Sequence, residues 1–264
     1  MSMSTKFKTP SELREMFRSG ADPFPTSGLA PGTVQANLVI LPKALAFDFL
    51  LFCQRNPKAC PLIEVLDPGS YEVRTAAPGS DIRKDIPLYR IYKHGNLSEV
   101  TQSIDHIWQK DFVSFLLGCS FSFENALVQD GIKLPHFENG TNVSMYTTNI
   151  QTEPAGEFSG PMVVSMRYIP RDKIVRAVQI TSRFPSVHGS PIHIGNPSEI
   201  GILDLSKPDF GDKTPIQNDD VPVFWACGVT PQSIAMHSQP PLMITHAPGH
   251  MFITDKQDSE YSIL

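Results

Sequence analysis

Proline recurs 24 times in the 264 residues of this chain, so no long helix can be written into it. Inside a helix, proline removes a backbone donor and collides with the preceding turn, which confines it to first turns, loops and strand edges. Seventeen glycines add further breaks. The expectation is many short elements joined by turns. Two apolar runs end alike. Residues 116–124 read Leu-Leu-Gly-Cys-Ser-Phe-Ser-Phe-Glu, and 223–231 read Val-Phe-Trp-Ala-Cys-Gly-Val-Thr-Pro. In each, glycine stands beside a thiol where a helix is expected to begin. Helix starts present unpaired N–H groups and hold anions for that reason. A small carboxylate substrate is one reading of this pair; two ordinary element boundaries are the other.

Size and charge narrow the classes. The length suits one large domain or two modest ones. Apolar residues make up 41% and charged residues 19%, as in a globular chain with long buried stretches. A net charge of −5 and the lack of a Lys/Arg cluster give nucleic-acid binding no electrostatic support. The apolar run at 44–53 contains Asp48 and is too short to span a bilayer. The start, Met-Ser-Met-Ser-Thr-Lys, does not read as a secretory signal. Cys53, Cys60, Cys119 and Cys227 form no Cys-x-x-Cys pair and read as reduced thiols, so a cytoplasmic location is expected.

Local patterns predict an α/β fold. Thr9-Pro10-Ser11-Glu12 predicts a capped helix closed by Gly20. A buried helix is expected from Pro42 to Gln54, a strand at 61–66, and a hairpin at 89–100 across His94-Gly95-Asn96. Residues 105–117 read as a helix with Ile107, Trp108, Phe112, Phe115 and Leu116 near one face, followed by a second short helix to Gly131. From 132 to 169 the chain reads as β, with the clearest strands at 143–150 and 161–169. A helix at 171–183 and strands at 191–194, 221–226, 242–245 and 251–254 follow, with a helix at 230–237. The architecture expected is two α/β lobes around a cleft, with mixed sheets and helices packed on them. The main lobe would be 1–118 plus 200–264 and the smaller one 119–199.

Five constellations carry chemistry. At 118–124, Ser120 or Ser122 serves as a cap or grips a carboxylate, Glu124 falls in the first turn, and Cys119 neighbours both. At 225–231, Cys227, Gly228 and Thr230 stand at a strand-to-helix turn, where open α/β sheets bind ligands. His246 and His250 flank Pro248-Gly249, which breaks the helix that a zinc pair needs; proton transfer by one imidazole is the stronger expectation. In the loop after Thr181, Arg183 suits a carboxylate clamp and His188 and His193 add polar groups. Finally, period-two alternation puts Val163, Ser165 and Arg167 on one strand face. That face meets solvent, or lines the cleft together with Tyr146 and Thr148. No phosphate-binding or dinucleotide-binding glycine motif and no nucleophile elbow is present, so no cofactor is implied.

Six segments also carry a family likeness. Gly-Leu-Ala-Pro-Gly-Thr-Val-Gln-Ala-Asn-Leu (28–38), Phe-Asp-Phe-Leu-Leu-Phe-Cys-Gln-Arg-Asn-Pro (47–57), Gly-Cys-Ser-Phe-Ser-Phe-Glu (118–124), Ser-Arg-Phe-Pro-Ser-Val-His-Gly (182–189), Phe-Trp-Ala-Cys-Gly-Val-Thr-Pro-Gln (224–232) and Thr-His-Ala-Pro-Gly-His-Met-Phe (245–252) resemble the bacterial hydro-lyase family related to the mitochondrial D-glutamate cyclase. The resemblance runs nearly end to end. It implies a lyase that eliminates water from a small amino or hydroxy acid; for the cyclase relative the reaction is D-glutamate to 5-oxo-D-proline. It assigns no catalytic residues. From residue type, Arg183 and the start at Ser120–Ser122 clamp the carboxylate. Glu124 and one of His188, His246 or His250 move protons. Backbone N–H groups at Cys227–Thr230 meet the developing oxyanion, and Arg167 is a further candidate for substrate binding if its strand face lines the cleft. The expected partner is a small carboxylate, with no nucleic acid and no membrane; a homo-oligomer is compatible. Two rivals stand beside this: a non-catalytic carboxylate-binding protein or metabolic sensor, and a metal-dependent hydratase using His246 and His250.

Overall fold

A computed structural model describes residues 8–215 and 220–263. The largest element is β1 (Thr33–Pro42), and its alternation organises the larger half of the molecule. Ala36, Leu38 and Ile40 enter one core, while Val39 and Leu41 enter another on the opposite face. A strand covered on both faces reads as an unbroken apolar run, as this one nearly does. β5 (Phe112–Gly118) lies antiparallel beside it and divides the same way: Phe112 and Leu116 join the first core, Val113, Phe115 and Leu117 the second.

The expected helix at 105–117 is therefore a correction. Only Asp105–Ile107 forms a helical turn, residues 108–111 are an irregular turn, and β5 takes up the chain from Phe112. Apolar residues at nearly every position mimic a helical stripe as readily as a doubly buried strand. The sheet runs β2 (Leu62–Val65), β5, β1, β10 (Met243–His246), β3 (Tyr89–Lys93), β4 (Asn96–Thr101). β11 (Phe252–Gln257) shares the β10 edge of β1, pairing with its first half while β10 pairs with its second. Helix α1 (Pro10–Arg18) has the expected capping box between Thr9 and Glu12, and Arg14 ties it to Asp255 on β11 at 2.9 Å. Helix α2 (Lys43–Arg55) buries Phe49, Phe52 and Cys53 on the second core.

The second sheet runs β6 (Ser144–Gln151), β7 (Pro161–Ile169), β9 (Val221–Ala226), β8 (His193–Ile194). Thus β9 belongs with the smaller sheet, beyond the segment 119–199. The stretch before β6, expected as β, holds the short helix α4 (Pro135–Asn139). Helices α3 (Phe121–Gln129) and α5 (Ile174–Ser182) cover one face of this sheet through Phe123, Leu127, Ala177 and Ile180, against Ile169, Val223 and Trp225. The other face carries Tyr146, Val164, Met166 and Phe224 under Ile200 and Ile202. Tyr146 and Thr148 therefore lie on the opposite side of the sheet from Arg167. Helix α6 (Thr230–Ser238) completes the set.

The α/β class with helices packed on two sheets is what the chain adopts. Mixed sheets are not: each strand pairing among the described residues is antiparallel. The ligand rule for open parallel sheets then gives no location here. Among the described residues, no helix is long and apolar enough to cross a membrane.

Candidate functional site

Arg167 points from β7 toward α3, not toward solvent, and is 1% exposed. A buried guanidinium is stable only when its charge and its N–H groups are met. Here Nε and Nη2 donate to Glu124 Oε1 at 3.0 and 2.6 Å, Nη2 also reaches Ser120 Oγ at 3.0 Å, and Nη1 reaches Ser165 Oγ at 3.0 Å. The Phe123 and Trp225 rings flank the guanidinium carbon, each centroid 5.4 Å away, a further favourable contact for a cation. Glu124 completes its own set with His136 Nε2 at 2.8 Å and Ser27 Oγ at 3.2 Å. Burial would push the Glu124 carboxyl up, but His136 and Arg167 outweigh it and hold it at about 2. Glu124 is thus an ionised anchor and a poor proton donor near neutrality, which removes the proton-transfer role expected from its sequence position.

The two apolar run-ends meet beside this cluster. Ser120 is the N-cap residue of α3, yet its hydroxyl serves Arg167 and makes no capping bond. Ser122 accepts the Gln35 N–H at 3.1 Å and fastens α3 to β1. Asn37 Nδ2 donates to the Gly118 carbonyl at 2.6 Å. A Cβ on Gly228 would overlap that same Asn37 amide, so glycine is what lets the second run-end approach. Cys119 and Cys227 share one buried cluster with Phe121, Met145, Val163 and Met251. Burial pushes the Cys119 thiol well up and the Cys227 thiol to about 11, so both stay protonated near neutrality. Thr230 spends its hydroxyl on the Cys227 carbonyl at 2.7 Å and the Val163 N–H at 3.1 Å, a structural tie between α6 and β7.

The three candidate imidazoles have different surroundings. His246 Nδ1 accepts the Leu38 N–H at 3.1 Å. Leu38 lies where β1 changes neighbour from β10 to β11, so the ring fills a gap in the ladder. Its Nε2 has no hydrogen-bond partner among the described residues, and burial drives its pKa down to about 3. His188 is also buried, with Nδ1 2.8 Å from the Lys58 carbonyl, and burial lowers it to about 4. His250 is half-buried, with Nδ1 2.9 Å from the Pro248 carbonyl. Burial lowers its pKa too, and Arg90 adds to the effect.

His250 opens on a cleft of about 360 Å³ between the two sheets. Arg90 on β3, Asn142 before β6, Asp209 and Phe210 line it as well. Phe210 packs against the cluster that holds Cys119 and Cys227, so cleft and buried centre share a wall. Arg90 and Asn142 were not singled out in the sequence. The available signal for Arg90 was a charged residue between the buried Tyr89 and Ile91, the pattern that drew attention to Arg167.

Arg183 does not join this site. It is exposed, its Nε reaches the Ile263 carbonyl at 3.2 Å, and it lines a separate hollow of about 640 Å³ with Arg176 and Asp258. His193 lies elsewhere, bonded to the Asn196 carbonyl at 2.7 Å. Among the described residues, no group of three His, Cys, Asp or Glu side chains is placed to hold a metal ion.

The chain resembles known proteins over nearly its whole length. A family model described as D-glutamate cyclase matches residues 113–255. A protein of Stutzerimonas stutzeri strain A1501 is 59% identical over 256 residues, covering 97% of both chains. One from Thermoanaerobacter sp. strain X514 is 61% identical over 249 residues, 94% of each chain. One from Bacillus subtilis strain 168 is 58% identical over 255 residues, 97% of this chain and 99% of the relative. All three bear the name "Putative hydro-lyase".

Proposed function

Because the chain belongs to the D-glutamate cyclase family, we propose that it is a hydro-lyase acting on a small amino acid, with D-glutamate to 5-oxo-D-proline as the specific reaction. In that reaction the amine attacks the side-chain carboxyl carbon, a C–N bond forms and a C–O bond breaks. Two protons leave nitrogen and both end on the departing oxygen as water. The chemistry needs a base for the ammonium, an acid for the leaving oxygen, and fixed positive charge for the carboxylates.

The observation that carries the reading is the convergence of the 118–120 and 227–230 run-ends on Asn37 and Arg167, beneath a cleft that presents His250. His250 is the proton carrier in this account. With its pKa below the usual imidazole range it is a free base near neutrality, and once protonated by the ammonium it returns that proton to the leaving oxygen. The Cys119 and Cys227 thiols stay neutral and form no covalent intermediate. Glu124 fixes Arg167, and the buried pair holds the two run-ends in place.

Incubation of purified protein with D-glutamate, followed by mass spectrometry for 5-oxoproline, tests the reading. Product formation is expected. No water loss from D-glutamate or from a panel of small amino and hydroxy acids would overturn it and leave the protein a carboxylate binder.

A further inference from the structure

The cleft holds two polar groups that the fold leaves unmet, and they line it from distant parts of the chain. Arg90 belongs to β3 of the larger sheet. Its Nη1 donates to Gln232 Oε1 at 3.2 Å, while its Nε is buried and has no hydrogen-bond partner among the described residues. Gln232 is itself fixed, since its Nε2 donates to the His246 carbonyl at 2.9 Å and its Oε1 also accepts the Tyr92 hydroxyl at 3.1 Å. Among the described residues the guanidinium is thus anchored on the Gln232–Tyr92 side, and its Nε is left over. Guanidinium edges bind carboxylates in a two-pronged fork.

Asn142 lies two residues before β6 of the smaller sheet. Its Nδ2 donates to the Pro248 carbonyl at 3.0 Å, which sets the amide's orientation, and its Oδ1 is buried with no hydrogen-bond partner among the described residues. A Cβ on Gly249 would overlap this amide, so the close approach depends on glycine there. Asp209 stands on the same side of the cleft. Its Oδ2 accepts the Thr147 N–H at 2.7 Å.

Unmet buried polar groups cost stability, and a ligand that meets them recovers it. A simple anion would serve Arg90 alone and would be repelled by Asp209. A group with both a carboxylate and an ammonium serves both walls. We propose that Arg90 and Asn142 form a receptor for the zwitterionic head of an α-amino acid, with the carboxylate on the Arg90 Nε edge and the ammonium at Asn142 Oδ1 toward Asp209. The inference rests on the reading of this cleft as the reaction site, and it places the amine within the same cleft as His250.

Calorimetric titration of the full chain with D-aspartate and succinate separates the two halves of the receptor, because these ligands share a carbon chain and differ by the ammonium group. Arg90→Met weakens both by about tenfold or more, the loss of one charge-assisted pair. Asn142→Ala weakens D-aspartate by about tenfold and leaves succinate unchanged. Arg90→Lys, which keeps the charge without the fork, falls between wild type and Arg90→Met, and carries the test if the methionine variant does not fold. Wild-type affinity in the Arg90 variants, an equal loss of both ligands in Asn142→Ala, or no binding of aspartate or glutamate of either hand to the wild type overturns the receptor. If the wild type forms 5-oxoproline and the variants keep its KM, the receptor is wrong and the hydro-lyase reading stands. If the variants divide the ligands as stated but no acid loses water, the receptor stands and the reaction falls.

Discussion

Glu124 Oε1 lies 2.6 Å from Arg167 Nη2, with both side chains almost wholly out of solvent. The pair locks the start of α3 to the middle of β7, close to the buried cluster of both run-ends against which Phe210 of the cleft wall packs. An ion pair so deeply buried is seldom a net source of stability against an apolar alternative, but removing one partner strands the other charge. Glu124→Gln is expected to cost about 3–5 kcal/mol, read as a fall in the urea unfolding midpoint. An unchanged midpoint would mean that Arg167 does not depend on the carboxylate.

The pH dependence of stability separates into two stages. His188 and His246 have folded pKa values of about 4 and 3, below the 6.5 of a free imidazole. Their contribution is present above pH 6.5 and is lost as pH falls through those values. Glu124, held at about 2 against 4.5, contributes above pH 4.5 and loses that contribution as pH falls toward 2. Urea midpoints measured from pH 8 to 3 are expected to decline first below 6.5 and more steeply below 4.5. Glu124→Gln removes the lower stage only. A flat profile down to pH 4.5 would contradict the buried, neutral state of the two imidazoles.

The thiols give an independent check on burial. All four cysteines are buried and free. Native protein is expected to react slowly with an aromatic disulfide reagent between pH 7 and 9, and all four thiols to react after unfolding. Fast labelling of Cys119 or Cys227 in the native protein would show a thiolate that the account excludes.

Gly228 and His246 test the junction from the backbone side. Gly228→Ala drives a methyl group into the Asn37 amide and is expected to cost about 1–3 kcal/mol. His246→Phe leaves the Leu38 N–H without its acceptor and is expected to cost about 1–3 kcal/mol. Thermal melts of both variants measure this. A His246→Phe protein as stable as wild type would free that imidazole for another role.

β6, β7 and β9 were legible in the sequence as short runs rich in β-branched and aromatic residues. β5 was not, since Val113 and Phe112 are both buried on opposite faces and leave no alternation to read. Arg167 stood out as a charge within an apolar strand, but which way it faced depended on α3 covering that sheet face. Residue type and a loop setting favoured Arg183 as the clamp, and only folding showed Arg183 exposed and Arg167 buried. Asn37 and Gly228 are far apart in sequence, so their contact leaves no local trace. The same holds for Arg90 and Asn142, which line one cleft from distant parts of the chain.

Initial rates of 5-oxoproline formation from D-glutamate, taken side by side for wild type, His250→Gln and Arg183→Ala, test the central claim that the cleft bearing His250 is where water is eliminated. Loss of a proton-transfer group costs on the order of 10²-fold or more, so His250→Gln is expected to fall by that amount while Arg183→Ala keeps wild-type kcat and KM. A His250→Gln enzyme with wild-type rates, or a collapse confined to Arg183→Ala, would contradict it and move the reaction to the hollow around Arg183.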